Sequence, residues 1–351
     1  MKEEQSLLLG KGGVLGIDIG SNSIKLVELE EIGTTYHLKN LGEAPLVQGA
    51  IINKSIKNPE AISYALSRLI DDLEIEADDA AVSISGEPVL LRRVSLPHMS
   101  DAELKKSIKW EIEQFSTQAA KDYTHDYQVI SAQNSHDKID VLIVGANKNV
   151  TKDYLSIITN VGLNPVVIDL DVFSLESMYE VNYPESQGLL ALVNIGASVT
   201  NILIIDNGES VFARDLLTAG SRYTDMIMKE MSLTYEEAEE VKHNQRVGVT
   251  DPTIELLANN FINSISHEIK QTLDYFSTAH CNEKVKRIMI GGGTASLPGL
   301  KDALSEITGS YVGILNPFRN INYSENTFDP EYIQDISTKM IVATGLALRK
   351  P

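Results

Sequence analysis

Residues 16–25 read GIDIGSNSIK. Val14, Leu15 and Ile17 lead into them as a short apolar, β-branched run, the pattern of a buried strand. Apolar spacing resumes at Ile24, Leu26, Val27 and Leu29, so the stretch is a strand, a tight turn and a second strand. Gly20 lets the backbone turn sharply, and Ser21, Asn22 and Ser23 carry amide and hydroxyl donors suited to a phosphate. Lys25 stands where a cation can reach outer phosphates. Asp18 repels phosphate but suits Mg2+, directly or through water. An ordinary hairpin with a serine-rich turn accounts for the same residues equally well.

Two later stretches tip that balance. Residues 189–207, LLALVNIGASVTNILIIDN, repeat the pattern of apolar strand, polar residue, Ile-Gly, small residues and second strand. Residues 287–300, RIMIGGGTASLPGL, run a strand into three consecutive glycines and a helix start. Together, in this order, the three stretches resemble the two phosphate motifs and the adenosine motif of the actin, heat-shock chaperone and sugar kinase ATPase fold. The segment LPHMSDAELKKSIKWEIEQF followed by DYQVI is similar to the PilM family, FtsA-like proteins of type IV pilus machines. The likeness spans about Leu15 to Lys350.

The resemblance implies an α/β, two-lobed actin-like ATPase fold with duplicated ribonuclease-H-like subdomains and an FtsA-like extra subdomain in the first lobe. The expected units are 12–85 with 165–185 and 335–350 (first-lobe core), 86–164 (extra subdomain), 186–225 with 285–334 (second-lobe core) and 226–284 (second-lobe helical part). ATP and Mg2+ are the implied cofactors. Gly20, Ser21, Asn22, Ser23 and Lys25 would face the phosphates from one lobe, and Asn194, Gly196 and Ala197 from the other. Gly291, Gly292, Gly293 and Thr294 would close on the adenosine, with Gly220 and Ser221 on its ribose side. A side chain at Gly292 is expected to strike the base. Glu239 and Lys242, three apart on one helical face, would hold ribose and adenine, and Asp18 the metal. In isolation the surrounding TYEEAEEVK reads as a solvated acidic face. The family's second phosphate motif normally begins with Asp; Asn194 carries no charge, so metal attraction weakens. With no evident base for water, catalytic residues are expected to be none, and hydrolysis slow or absent.

Composition narrows the partners. The formal charge of −19 argues against nucleic acid and against direct adhesion to anionic lipid. A single cysteine, Cys281, excludes an internal disulfide framework and a cysteine-rich metal site. MKEEQSLLLGKGG lacks the basic region and apolar length of a signal peptide, and no run approaches a membrane span. The expectation is a cytoplasmic protein, peripheral at the inner membrane through a partner. The resemblance implies that partner: a PilN-type inner-membrane protein, bound by its N-terminal peptide, with other pilus machine components, the motor ATPase among them, and no direct membrane insertion.

Local signals complete the expectations. Asn58-Pro59 opens a helix. Ser100 and Glu103 form a capping box for a helix to about Phe115 with Leu104, Ile108, Ile112 and Phe115 on one face. Apolar residues left over on that helix, Trp110 among them, suggest a peptide groove between the first lobe and 86–164. Ser116 to Ala119 depart from an Ile-Pro segment frequent in the family. Thr151 is a candidate N-cap; Asp169 and Asp171 share a strand face as metal ligands, or cap the next helix. Gln334 to Arg349 reads as one helix with small Ala343, Gly345 and Ala347, similar to the second connecting helix of the fold. Two other readings fit the fold: an FtsA-like division protein, for which the sequence beyond Arg349 leaves no amphipathic helix, and a small-molecule kinase, which needs a cleft aspartate base.

Overall fold

The computed structural model describes residues 13–52, 54–115, 120–130, 138–244, 251–281 and 283–351. The start of the chain, Ser116 to Ala119 and the side chains of Phe115 and Cys281 lie outside what is described.

The first lobe opens with an antiparallel meander of β1 (Leu15–Ile19), β2 (Ser23–Ile32) and β3 (Thr35–Pro45). A small hairpin, β4 (Ile51–Ile52) and β5 (Ser55–Ile56), leads into α1 (Pro59–Asp72). Asn58 caps α1 by accepting the N–H of Ala61, with Pro59 at the first helical position. β6 (Asp79–Ile84) then returns parallel beside β1.

β7 (Val89–Pro97), α2 (Asp101–Phe115), β8 (Tyr123–Ile130) and β9 (Lys138–Asn147) form a small unit with its own core, the extra subdomain; α3 (Lys148–Asn160) then returns to bury Tyr154, Ile157 and Ile158 in the core of the first lobe. The subdomain's strands lie in the order β7-β9-β8. Leu104, Ile108 and Ile112 are buried against Leu96, Val141 and Ile143, so the apolar stripe of α2 completes the subdomain's own core. This corrects the expectation of a groove on that face: each fully buried Leu or Ile is worth about 1.5–3 kcal/mol in the core, and none of these three remains for a partner. Trp110 stands on the outer side, 57% exposed. Asn147, not Thr151, caps α3, accepting from Asn149 and Val150; Thr151 sits a turn later with its hydroxyl on the Asn147 carbonyl. Asparagine is the stronger N-cap, which moves the start forward.

β10 (Asn164–Leu170) rejoins the first sheet beside β6, and α4 (Asp171–Asn182) crosses to the second lobe. There β11 (Leu189–Ile195), β12 (Thr200–Asp206) and β13 (Glu209–Leu216) repeat the opening meander. α5 (Gly220–Met231), α6 (Tyr235–His243) and α7 (Pro252–Phe276) follow, then β14 (Arg287–Gly291), α8 (Leu300–Thr308) and β15 (Tyr311–Ile314). β16 (Ile321–Asn322) returns to the edge of the first sheet. The last expected helix is two, α9 (Pro330–Ser337) and α10 (Ile341–Ala347). The break frees the Thr338 carbonyl to accept the Gly292 N–H at 2.7 Å.

The sheets run β10-β6-β1-β2-β3-β16 and β13-β12-β11-β14-β15: the same order twice, with one strand added at an edge of the first. α10 packs on α4 and β1 at contact distance. A Cβ on Gly345 would lie 1.8 Å from the Ser174 carbonyl oxygen, and one on Gly16 2.1 Å from that of Ala343. Small residues are obligatory at this crossing. Among the described residues no helix is long and apolar enough to cross a membrane.

Candidate functional site: two glycine turns and a triple-glycine loop

The two hairpin turns share one geometry. Gly20 N–H donates to Ser23 O and Gly196 N–H to Val199 O, each at 3.1 Å. The polar residue ahead of each turn faces a partner on the return strand: Asp18 opposite Lys25, and Asn194 opposite Asn201. In the first turn this is an ion pair at 3.5 Å. In the second it is a neutral bond, Asn194 Nδ2 donating to Asn201 Oδ1 at 3.0 Å. Ser21 contributes a buried hydroxyl oxygen with no hydrogen-bond partner. Ser23 is committed elsewhere, donating to Glu43 at 2.6 Å, and Lys339 donates to the same carboxylate at 3.0 Å. Burial works against ionising Glu43, but these two partners outweigh it and hold the carboxyl below its usual value.

The second turn is stapled to its neighbours. Gly220 and Ser221, at the start of α5, donate their N–H groups to the carbonyls of Gly196 and Ala197 at 3.0 and 2.7 Å. Thr294 donates its N–H to Ile195 at 3.1 Å and its hydroxyl to Gly196 at 3.0 Å. The three glycines of the loop differ. Gly291 is buried beneath Ile341. Gly292 has φ +90°, and a Cβ there would meet the Ile195 carbonyl oxygen at 2.4 Å. A side chain at Gly292 therefore strikes the protein itself, not first a ligand as expected. Gly293 is exposed, with only Lys339 within 4 Å of an added Cβ, so it is the glycine that keeps an approach open.

α6 supplies the charged wall. Thr234 and Glu237 form a reciprocal capping box that fixes its start. Lys242 donates to Glu239 at 2.8 Å and to Thr224 at 3.0 Å, and Thr224 also donates to Glu239. Burial alone would raise the Glu239 carboxyl; hydrogen bonding from His243, Lys242 and Thr224 outweighs it and holds the group at about 2. The first turn reaches this wall directly: Tyr235 Oη donates to Asn22 Oδ1 at 2.7 Å, and Asn22 Nδ2 to Glu239 at 3.3 Å. Through these bonds the two turns, the glycine loop and the start of α5 come together with α6.

The Asp169 and Asp171 pair does not. The strand alternation stops where α4 begins, and the two carboxylates diverge: Asp169 pairs with Arg349, while Asp171 accepts from Lys54 at 3.1 Å, Ser83 at 2.7 Å and Ser85. Neither caps α4, whose N-cap is Leu170. Burial opposes both charges of the Lys54–Asp171 pair, but their mutual attraction wins, keeping Lys54 raised and Asp171 lowered. Among the described residues no three His, Cys, Asp or Glu gather as a metal site. Sequence reading missed Lys54, Tyr235, Asn201 and Asp215. Only Asn201 had a signal, since it occupies in the second repeat the place of Lys25 in the first.

A groove of about 1020 Å3 is bounded by the edge strand β7, the start of α4 and the edge strand β13. Leu91, Phe173, Phe212 and Leu217 line its apolar part, Asp171 and Asp215 its polar part. It occupies the boundary between first lobe and extra subdomain, with β7 rather than α2 as its wall, and the second lobe closes its far side.

Comparison with known proteins follows this architecture. The structure of a PilM-PilN type IV pilus biogenesis complex superposes with a TM-score of 0.87, covering 97% of this chain and 100% of that one at 23% identity. MreB5 of Spiroplasma citri bound to AMPPNP gives 0.53 over 96% and 95% at 12% identity. The fold is therefore the two-lobed actin-like one. Cell division protein FtsA of Staphylococcus epidermidis is 21% identical over 203 residues, 51% of this chain and 43% of FtsA, so the chain spans less than half the length of that curated relative. The family model of type IV pilus assembly protein PilM matches residues 16–351. By that match, with the extra subdomain and both glycine hairpins in place, the chain belongs to the PilM family of type IV pilus assembly proteins.

Proposed function

We propose that this chain is a nucleotide-binding scaffold of the pilus machine that holds the N-terminal tail of a PilN-type inner-membrane partner in a nucleotide-dependent way. The observation that carries the nucleotide half is the Ser21 hydroxyl, buried without a partner next to Gly20. Such an orphan costs about 1–3 kcal/mol, which a phosphate oxygen accepting from it would recover. ATP would place its phosphates between the Gly20 and Gly196 turns and its adenosine against Gly291 to Thr294, beside Glu239 and Lys242. Mg2+ would draw on Asp18, phosphate oxygens and water, the mixture it favours. Hydrolysis is slow or absent, because Asn194 is neutral and Asp171 is committed to Lys54 and two serines.

The groove supports the partner half. An extended apolar peptide gains affinity there from a few anchors against Leu91, Phe173 and Leu217. The scaffold would sit at the cytoplasmic face of the inner membrane through that peptide, leaving its outer faces to other machine components such as the motor ATPase.

Calorimetric titration tests both halves. The purified protein binds Mg-ATP; Gly293→Val keeps the Tm and loses at least ten-fold in affinity. A PilN-type N-terminal peptide binds with an affinity that changes on adding ATP, and Leu217→Glu, at a position 59% exposed, weakens the peptide alone. No ATP binding by folded protein overturns the nucleotide half. No peptide binding in either condition overturns the partner half.

A further inference from the structure

The second-lobe sheet carries a row of polar side chains across three strands. Asn194 on β11 lies opposite Asn201 on β12, and Asn201 opposite Asp215 on β13. Both asparagines are buried. Asn194 donates to Asn201 at 3.0 Å, and Asn201 donates to Asp215 Oδ1 at 2.8 Å. The other carboxylate oxygen, Oδ2, accepts the backbone N–H of Gly86 at 2.6 Å. Gly86, at φ +75°, is where the chain leaves the first lobe for the extra subdomain, and it lines the groove. At the opposite end, Asn194 Oδ1 faces Gly292, where an added Cβ would lie 2.6 Å away.

The row has a fixed direction. A backbone N–H only donates and an ionised carboxylate only accepts. Asp215 must therefore receive from Gly86 and from Asn201. Asn201 then turns its NH2 toward β13 and its carbonyl oxygen toward β11. Residue 194 is left to donate, and an ionised aspartate there cannot.

We propose that Asn194 is a positioning residue: its amide sets the direction of this row, which holds the root of the extra subdomain, and asparagine stands at 194 because Asp215 demands a donor there. The triple-glycine loop and the groove wall are the two ends of the row. The part this plays in nucleotide control of the groove rests on the function proposed above; the hydrogen-bond logic does not.

That logic gives an asymmetric mutant cycle. Asn194→Asp sets two carboxylates against one amide, and the row fails. Asp215→Asn is tolerated, because both native amides reverse: Asn194 accepts, Asn201 donates to it, and the new amide donates to Asn201 while accepting from Gly86. The double variant Asn194→Asp with Asp215→Asn restores a complete row in that reversed direction. The readout is the Gly86 amide proton of protein labelled with 15N-glycine, free of nucleotide and peptide, with its hydrogen exchange and the Tm. Asn194→Asp is expected to speed Gly86 exchange at least ten-fold and lower Tm by about 5 °C. Asp215→Asn stays close to the parent, and the double variant returns to within two-fold of it. Should Asn194→Asp not fold alone, recovery of folded protein in the double variant supports the proposal. Unchanged Gly86 exchange in a folded Asn194→Asp protein, or a double variant no better than Asn194→Asp, overturns it. No ligand enters the measurement, so a chain that bound no nucleotide would overturn the function proposed above and leave this result intact.

Discussion

The two glycine hairpins are copies in backbone and opposites in charge. Each turns on the same 3.1 Å bond and pairs the residue ahead of the turn with one on the return strand. The first fills that place with Asp18 and Lys25, the second with Asn194 and Asn201. Charge near the first turn continues inward to Lys54 and Asp171, both buried. The second hairpin instead places a neutral bond at that position and tight backbone contacts around its turn; the charge on its sheet lies two strands away at Asp215, and the rest of the site's charge stands on α6. A duplicated scaffold thus separates two tasks: the first turn keeps a charged pair, and the second secures the architecture around it.

Forcing the triple-glycine loop off the second turn should have the largest effect. Gly292→Val places a branched side chain at φ +90° with its Cβ 2.4 Å from a backbone oxygen, and is expected to cost more than about 4 kcal/mol in urea unfolding. Gly20→Ala is a milder change, in the first turn. It adds one methyl at a φ outside the left-handed region, where it meets the flexible end of Lys25 at 2.8 Å and the Ser23 backbone oxygen at 2.9 Å, so the loss should be clearly smaller. Equal losses would end the division of tasks. Next comes the buried charge. Lys54→Met leaves Asp171 ionised without its counter-ion and should cost about 3–5 kcal/mol; adding Asp171→Asn should recover much of it. The smallest effect probes α6. Glu239 is held at about 2 against an ordinary 4.5, so its contribution is complete above pH 4.5 and is lost as pH falls toward 2. With partial solvent screening this amounts to about 1–2 kcal/mol. Glu239→Gln should flatten the stability curve across that window and leave the curve above it parallel to the parent's.

The backbone framework was legible because its signals are local. GIDIGSNSIK and LVNIGASVT each announce strand, glycine turn and strand within ten residues, and Asn58-Pro59 marks a helix start by a cap that the structure contains. What escaped depends on contacts far apart in sequence. Lys54 lies in a short loop between two-residue strands, and only the fold brings it to Asp171. Asp215 gains its meaning from Gly86, on the other lobe. The stripe of α2 was visible, but whether it faced its own sheet or a partner was not, since both bury the same residues. The break between α9 and α10 serves a bond to Gly292 that no helical periodicity encodes.

Trp110, the chain's single tryptophan, stands on the outer side of α2. Intrinsic fluorescence excited at the indole edge therefore comes from one subdomain alone, while far-ultraviolet circular dichroism averages over every helix and sheet. The molecule carries its own local optical label. Superposed melting curves from the two signals mean that the extra subdomain is released together with the lobes; an earlier fluorescence transition means that it opens first, on a scaffold still intact.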